Sequence, residues 1–298
     1  MRRAADEAAW RHNGACPDWK EPLPHHSRRA GGNLVRVIGN GGQEWGRDPG
    51  HAFPRRRRAP LRELGDPEVM VPSTALAFDT LPRRLIALPG VYRPQADTWL
   101  LAEALSREPM DADSDVLDIG TGTGALALSA ARTGARVEAV DVSWPAVIAA
   151  GLNAFRQGLP LRVMHGDFAT RTQGRRFDVV LTNPPYVPSA RPRPPPHGAA
   201  RAWDAGPDGR RVIDRVCACA PALLRPGGVL LMVHSGMCGP PATVARLEAG
   251  GLAAEVTART SVPWGPVLRA RRTWLRRQGL AGDGDEREEL VIIRAAHP

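Results

Sequence analysis

From about residue 96 onward, short apolar strands and helical stretches take turns along the chain. That alternation restricts the fold more than any other feature. Asp115 to Gly120 reads as a buried strand, and the alanine-rich run Ala125 to Arg132 as a helix. Arg136 to Val142 is strand, Pro145 to Gln157 helix, Leu161 to Gly166 strand and Phe177 to Thr182 strand. The pattern continues with a helix over Asp208 to Leu224, a strand over Gly228 to His234 and a helix over Pro241 to Glu248. Strands over Ala254 to Arg259 and Glu289 to Ala295 complete seven, and a helix over Ala96 to Leu105 precedes them all. This predicts an α/β, Rossmann-like, doubly wound and mostly parallel sheet, which binds ligands at the carboxyl ends of its strands near the switch point.

Composition narrows the class. Of 298 residues, 43% are hydrophobic, enough for a core, which excludes a wholly disordered chain. Forty Lys plus Arg stand against 31 Asp plus Glu, a formal charge of +9, and Lys20 is the only lysine. No apolar run reaches the roughly 18 to 20 residues that span a bilayer, and no signal peptide opens the chain, so a cytoplasmic protein without membrane contact is expected. Four cysteines without framework spacing exclude a disulfide scaffold.

Residues 1–70 differ from the rest. They carry Gly31-Gly32, Gly41-Gly42, the run Arg55 to Arg58 and scattered prolines, without helical or strand periodicity. Leu34-Val35-Arg36-Val37-Ile38 suits one strand, but nothing nearby pairs with it. The segment reads as a disordered extension, or as sequence upstream of a shorter product starting near Met70; residues 71–298 form the expected domain.

Asp118-Ile119-Gly120-Thr121-Gly122-Thr123-Gly124 follows a strand and opens a helix. Gly120, Gly122 and Gly124 permit a left-handed turn and close ligand approach. Asp141 ends the next strand 21 positions after Gly120, where a carboxylate can accept both ribose hydroxyls of an adenosine. A dinucleotide or S-adenosyl-L-methionine satisfies this much. Asp167, ending the third strand, can bind an adenine amino group. Asn183-Pro184-Pro185-Tyr186 ends the fourth strand and separates the alternatives. The prolines stop the strand and free the Pro184 carbonyl, Asn183 offers an amide oxygen, and Tyr186 offers an aromatic face. Together they suit a planar NH₂ group, held so that its lone pair is aimed at a methyl sulfonium.

These residues resemble the S-adenosylmethionine-dependent amino methyltransferases. Val91-Tyr92-Arg93-Pro94-Gln95-Ala96-Asp97-Thr98, with His197-Gly198, Trp203, Gly206 and Gly209-Arg210, resembles the short archaeal and eukaryotic branch of the HemK-like glutamine methyltransferases, over about residues 88–298. The resemblance implies methylation of the glutamine amide in the Gly-Gly-Gln motif of a peptide-chain release factor, although some members take other protein substrates. It implies that Thr98, Asp118, Gly120, Asp141 and Asp167 line the cofactor and that Asn183, Pro184, Pro185 and Tyr186 hold the glutamine. It also raises a small zinc-binding activator subunit as a partner. The longer bacterial branch has an N-terminal helical bundle for which residues 1–70 have the wrong composition.

Two rivals stay open. One is an N-methyltransferase for an exocyclic amine of adenine or guanine in DNA or RNA, for which no separate target-recognition domain is visible. The other is a non-catalytic cofactor-binding partner protein. Arg269, Arg271, Arg272, Arg276 and Arg277, punctuated by Leu268, Trp274 and Leu275, form a basic helix or arm over 267–277. It is suited to nucleic acid or ribosome contact, or more simply to a solvated helix packed through Trp274. Gly41-Gly42-Gln43 copies the substrate tripeptide, most simply by coincidence. Cys217 and Cys219 lie two apart on a helix and point to different faces, so they read as core residues and no metal site is expected.

Overall fold

The structure, a computed structural model, describes residues 36–37, 81–82, 84–192, 195 and 198–298. The Arg55 to Arg58 run, Gly41-Gly42-Gln43, Met70 and His197 lie outside the described residues.

One sheet runs in the order β1-β4-β3-β2-β5-β6-β8-β7. Its strands are β1 (Arg36–Val37), β2 (Asp115–Ile119), β3 (Arg136–Asp141), β4 (Leu161–His165), β5 (Phe177–Thr182), β6 (Leu224–Ser235), β7 (Ala253–Pro263) and β8 (Arg287–Ala296). Pairing is parallel from β4 through β6 and antiparallel for β6 with β8 and β8 with β7. The seven expected strands are all present. Nothing nearby in the sequence offers a partner for the Leu34–Ile38 stretch; in the structure Arg36 and Val37 pair antiparallel with Arg162 and Leu161 on β4, far along the chain. The reason is topological, since β4 is the last strand on its side of the parallel run and leaves an edge to be paired.

The helices are α1 (Ala96–Leu105), α2 (Ala125–Ala131), α3 (Trp144–Gln157), α4 (Phe168–Arg171), α5 (Arg211–Leu223), α6 (Pro240–Ala249) and α7 (Pro266–Arg277). Parallel strands are buried on both faces, so β2 and β5 read as continuous apolar runs, and Val116, Leu117, Val180 and Leu181 are all fully buried. Alanines let α2 sit close to the sheet. Gly124, at φ +81°, is required by this closeness, because a Cβ there would lie 3.1 Å from the Ala150 Cβ on α3. Cys217 and Cys219 are buried in the core, as expected. The short α4 was not legible as a helix, having one turn and no period to read.

The 267–277 segment is a helix. Leu268 and Leu275 of α7 join Trp264 in a small separate cluster against Val187 and Met237, with Trp274 half-buried beside them. The chain runs from β2 to β3 and β4 on one side, then crosses back so that β5 lies against β2. The switch point therefore falls between the carboxyl ends of β2 and β5.

Candidate active site

A cavity of about 560 Å³ opens at this switch point. Of the residues singled out in the sequence, Thr98, Gly120, Gly122, Asp141 and Asn183 through Tyr186 line it together. Asp118, Gly124 and Asp167 are not among its lining residues.

The loop after β2 is held from two sides. Asp141 Oδ2 accepts the Gly122 N–H at 3.0 Å and Oδ1 accepts the Ser143 N–H at 2.9 Å. Burial pushes its carboxyl above the ordinary range. Each oxygen keeps a lone pair for a further donor. Asp118 works from beneath: Oδ2 accepts the Thr121 hydroxyl at 2.6 Å and the Ala127 N–H at 3.2 Å, and burial pushes its carboxyl up to about 7. Its Oδ1 is buried with no hydrogen-bond partner. Gly120 has φ +73° and no atom within 4 Å of where a Cβ would stand, so it leaves room at the cavity floor.

Asp167 caps α4 through the Ala169 N–H at 3.1 Å, and both carboxylate oxygens are gripped by Arg215. At the corresponding rim of the cavity, Trp144 and His165 stack with ring centroids 4.1 Å apart and planes 10° apart.

The wall opposite the glycine loop is built around a residue the sequence reading passed over. Asp97, buried at the start of α1, accepts the Tyr92 hydroxyl at 2.9 Å and the Tyr186 hydroxyl at 3.0 Å, both on Oδ2. Its Oδ1 accepts the Thr98 N–H at 2.6 Å and the Thr98 hydroxyl at 3.1 Å. Thr98 Oγ1 in turn accepts Asn183 Nδ2 at 3.4 Å, which leaves the Asn183 amide oxygen for a ligand. Burial, with Asp97 adding to it, raises the tyrosine hydroxyls of Tyr92 and Tyr186 far above their ordinary value, so both remain donors. The signal for Asp97 was in the sequence, because the chain has only two tyrosines and both fall in the segments singled out.

Beyond Tyr186 the chain is pinned. Val187 donates to the Trp203 carbonyl at 2.8 Å, and the Ala205 N–H returns to Val187 at 3.1 Å. Arg271 of α7 donates to the Pro188 carbonyl at 2.9 Å and to Asp204 at 2.5 Å, and the Asp204 side chain is only 4% exposed. Gly209 is required here: a Cβ would stand 2.4 Å from the Tyr186 carbonyl oxygen.

A glycine loop answered by a strand-end carboxylate, facing a fixed amide and an aromatic ring, defines an α/β enzyme that brings an adenosine-bearing cofactor to a planar acceptor. Comparison with known proteins agrees. Residues 83–192 match the family model described as the methyltransferase small domain. A Methanocaldococcus jannaschii protein described as a protein N5-glutamine methyltransferase is 34% identical over 181 residues, covering 60% of this chain and 90% of that one. The release factor glutamine methyltransferase of Gloeobacter violaceus is 40% identical over 171 residues, covering 54% of this chain and 59% of that one. The chain thus spans little more than half the length of that bacterial relative. The solved E. cuniculi Mtq2-Trm112 complex, described as responsible for methylating the eRF1 translation termination factor, is 23% identical with a TM-score of 0.48, over 70% of this chain and 99% of that one.

The chain belongs to the protein N5-glutamine methyltransferase family. It is accordingly a methyltransferase whose cofactor is S-adenosylmethionine. The cavity's lining is chemically suited to that cofactor: Asp141 keeps acceptor capacity beside the glycine loop, and Gly120 leaves open floor. Among the described residues, no helix is long and apolar enough to cross a membrane.

Proposed function

We propose that this chain methylates the side-chain amide nitrogen of the glutamine in the Gly-Gly-Gln motif of a peptide-chain release factor. The observation that carries this reading is the anchoring of Asn183 through Thr98 to Asp97, which holds the Asn183 amide oxygen at the cavity wall. A primary amide presents two N–H bonds in one plane. The Asn183 oxygen takes one and the Pro184 carbonyl the other, while the Tyr186 ring packs on the amide face. Asp141 would hold the ribose of S-adenosylmethionine and the Gly120 to Gly122 backbone its neighbouring atoms, and the cofactor would supply an electrophilic methyl group on a sulfonium. Fixing both amide hydrogens directs the nitrogen lone pair toward that methyl, so orientation and preorganised dipoles lower the barrier without a strong base. As the N–CH₃ bond forms the S–CH₃ bond breaks, leaving the neutral thioether of S-adenosylhomocysteine, and the now acidic amide nitrogen loses its proton to solvent water.

The names of the archaeal and Gloeobacter relatives support the choice of glutamine. The same reading places the chain in the cytoplasm with its substrate and admits a small activator subunit. It also admits contact with ribosomal RNA through α7, where Arg269 and Arg277 are exposed. Residues 71–298 are the catalytic unit in this reading, with 1–70 an extension.

The test is transfer of labelled methyl to three acceptors: a release factor, the same factor with its motif glutamine replaced, and structured RNA or duplex DNA. Label on the first alone supports the reading. Label on nucleic acid alone keeps the cofactor site and transfers the acceptor to a base amine.

A further inference from the structure

Helix α7 carries five arginines in 12 residues and no acidic side chain. At about 100° per residue, Arg269, Arg272, Arg276 and Arg277 fall on one arc roughly 140° wide. Leu268 and Leu275 take the opposite arc and are buried, and Arg271 beside them is spent on Pro188 and Asp204. The outward charges are weakly answered. Arg269 and Arg277 are exposed, and among the described residues neither has a carboxylate within 4 Å. Arg276 donates to the carbonyls of Gly282 and Asp283, which leaves its charge in place. Of the acids in the loop that follows, Asp283, Asp285 and Glu286, only Glu286 comes within 4 Å of an α7 guanidinium, at 3.8 Å from Arg272. This face is joined to the acceptor lip. Arg271 holds the Pro188 carbonyl, and Pro188 directly follows Val187, which lines the cavity beside Tyr186. Arg191, three positions further on, is also exposed.

We propose that the outward arginine face of α7 is the docking surface for the body of the methylated protein, which presents an acidic patch to it. This rests on the reading of a protein acceptor given above. A cavity of about 560 Å³ that also takes the cofactor has room for one side chain of the substrate but not for its body, which lies over the rim. A guanidinium suits an acidic patch because its planar fork pairs with both oxygens of a carboxylate. Charges at such a rim act mainly by steering encounter and setting its salt dependence. A nucleic-acid occupant is disfavoured, because looped and single-stranded RNA is held by exposed aromatic rings. Among the described residues the large exposed hydrophobic side chains lie at Val142 and along α3, and Trp274 of α7 packs with the Trp264 cluster instead.

The experiment uses the full chain and reads binding apart from transfer. Arg269→Glu with Arg277→Glu reverses two exposed charges outside the cavity lining. Affinity for a full-length release factor, measured by fluorescence anisotropy with S-adenosylhomocysteine present, should fall about tenfold or more in roughly 50 mM salt. Wild-type affinity should weaken by a similar factor between about 50 and 300 mM salt, while that of the variant changes little. S-adenosylhomocysteine affinity should stay native, as should transfer to a short peptide bearing the Gly-Gly-Gln motif. Native release-factor affinity in the variant, or none in the wild type, would overturn the proposal. An equal loss of transfer to the short peptide would overturn it too, by placing the effect in the cavity. Charge reversal that removes binding of structured RNA but spares the release factor would assign the face to nucleic acid instead. Binding that responds to the charges without methyl transfer to the glutamine would keep the docking face and overturn the acceptor reading alone.

Discussion

The Tyr186 hydroxyl donates to the Asp97 carboxylate at 3.0 Å across 89 positions of sequence, and Tyr92 donates to the same oxygen at 2.9 Å. One carboxylate thereby locks the acceptor motif to the segment that precedes the sheet. Asp97→Asn keeps the shape but replaces two acceptor oxygens with one. We expect a stability loss of about 1–3 kcal/mol, the cost of a buried donor left without its partner, and a lower turnover as Asn183 and Tyr186 lose their fixed positions. Denaturant unfolding and single-turnover rates check this. Native stability together with native turnover would show that the network does not position the site.

Asp141→Ala removes the acceptor of the Gly122 and Ser143 N–H groups, and with it the ribose contact proposed for this carboxylate. S-adenosylhomocysteine affinity should fall at least about tenfold, equivalent to roughly 1.4 kcal/mol. Calorimetric titration reads this directly, and an unchanged affinity would move the ribose elsewhere in the cavity.

Glu288 gives stability a pH dependence. Burial is the main cause that pushes its carboxyl up to about 7, with the Asp97 charge adding to it and a hydrogen bond to Ser235 opposing. Its Oε1 is buried with no partner. Between its ordinary value near 4.5 and about 7 the folded protein holds a proton that the unfolded chain has released. Stability therefore falls as pH rises through that window and levels off above it. Asp118, pushed up to about 7 in the same direction, contributes similarly. Unfolding free energies measured from pH 4.5 to 8 should show this decline, and Glu288→Gln should remove about half of it. A wild-type stability that rises through the window would contradict the assignment.

Arg271 joins α7 to the chain beyond the acceptor motif. Arg271→Ala leaves the Asp204 carboxylate buried without its partner. The Arg271 side chain is 24% exposed, so a loss of about 2 kcal/mol is expected, below the roughly 3–5 kcal/mol of a fully buried pair. Because Pro188 and Asp204 directly follow Val187 and Trp203, which line the cavity beside Tyr186, KM for the protein substrate should rise while cofactor affinity stays native. Arg271→Lys should restore part of the KM, since a lysine supplies the charge without the two-pronged grip. Equal effects on KM and cofactor affinity would mean a general loss of structure.

The centre of the sheet was legible in the sequence because β2, β5 and β6 are largely apolar and buried on both faces, and the loops carry glycines where backbone torsions demand them. The two lips of the cavity, Gly120 to Gly122 and Asn183 to Tyr186, followed from their places at strand ends. Asp97 was not assigned, because a carboxylate in a first helical turn looks like an ordinary capping charge until two distant tyrosines converge on it. Asp167 sits at a strand end like Asp141, yet Arg215 takes both its oxygens from α5, a contact 48 positions away that no local pattern announces. The partner of Arg36–Val37 was hidden for the same reason, since pairing at a sheet edge depends on which strand finishes outermost.

In the proposed reaction a glutamine amide, fixed by Asn183, receives the methyl group. The most direct test is tandem mass spectrometry of a release factor incubated with S-adenosylmethionine and either the wild-type chain or Asn183→Ala. We expect a single methyl on the side-chain nitrogen of the Gly-Gly-Gln glutamine with the wild type, and a rate lower by about 100-fold or more with Asn183→Ala, at near-native cofactor affinity. A methyl on another residue, or undiminished transfer without Asn183, would contradict it.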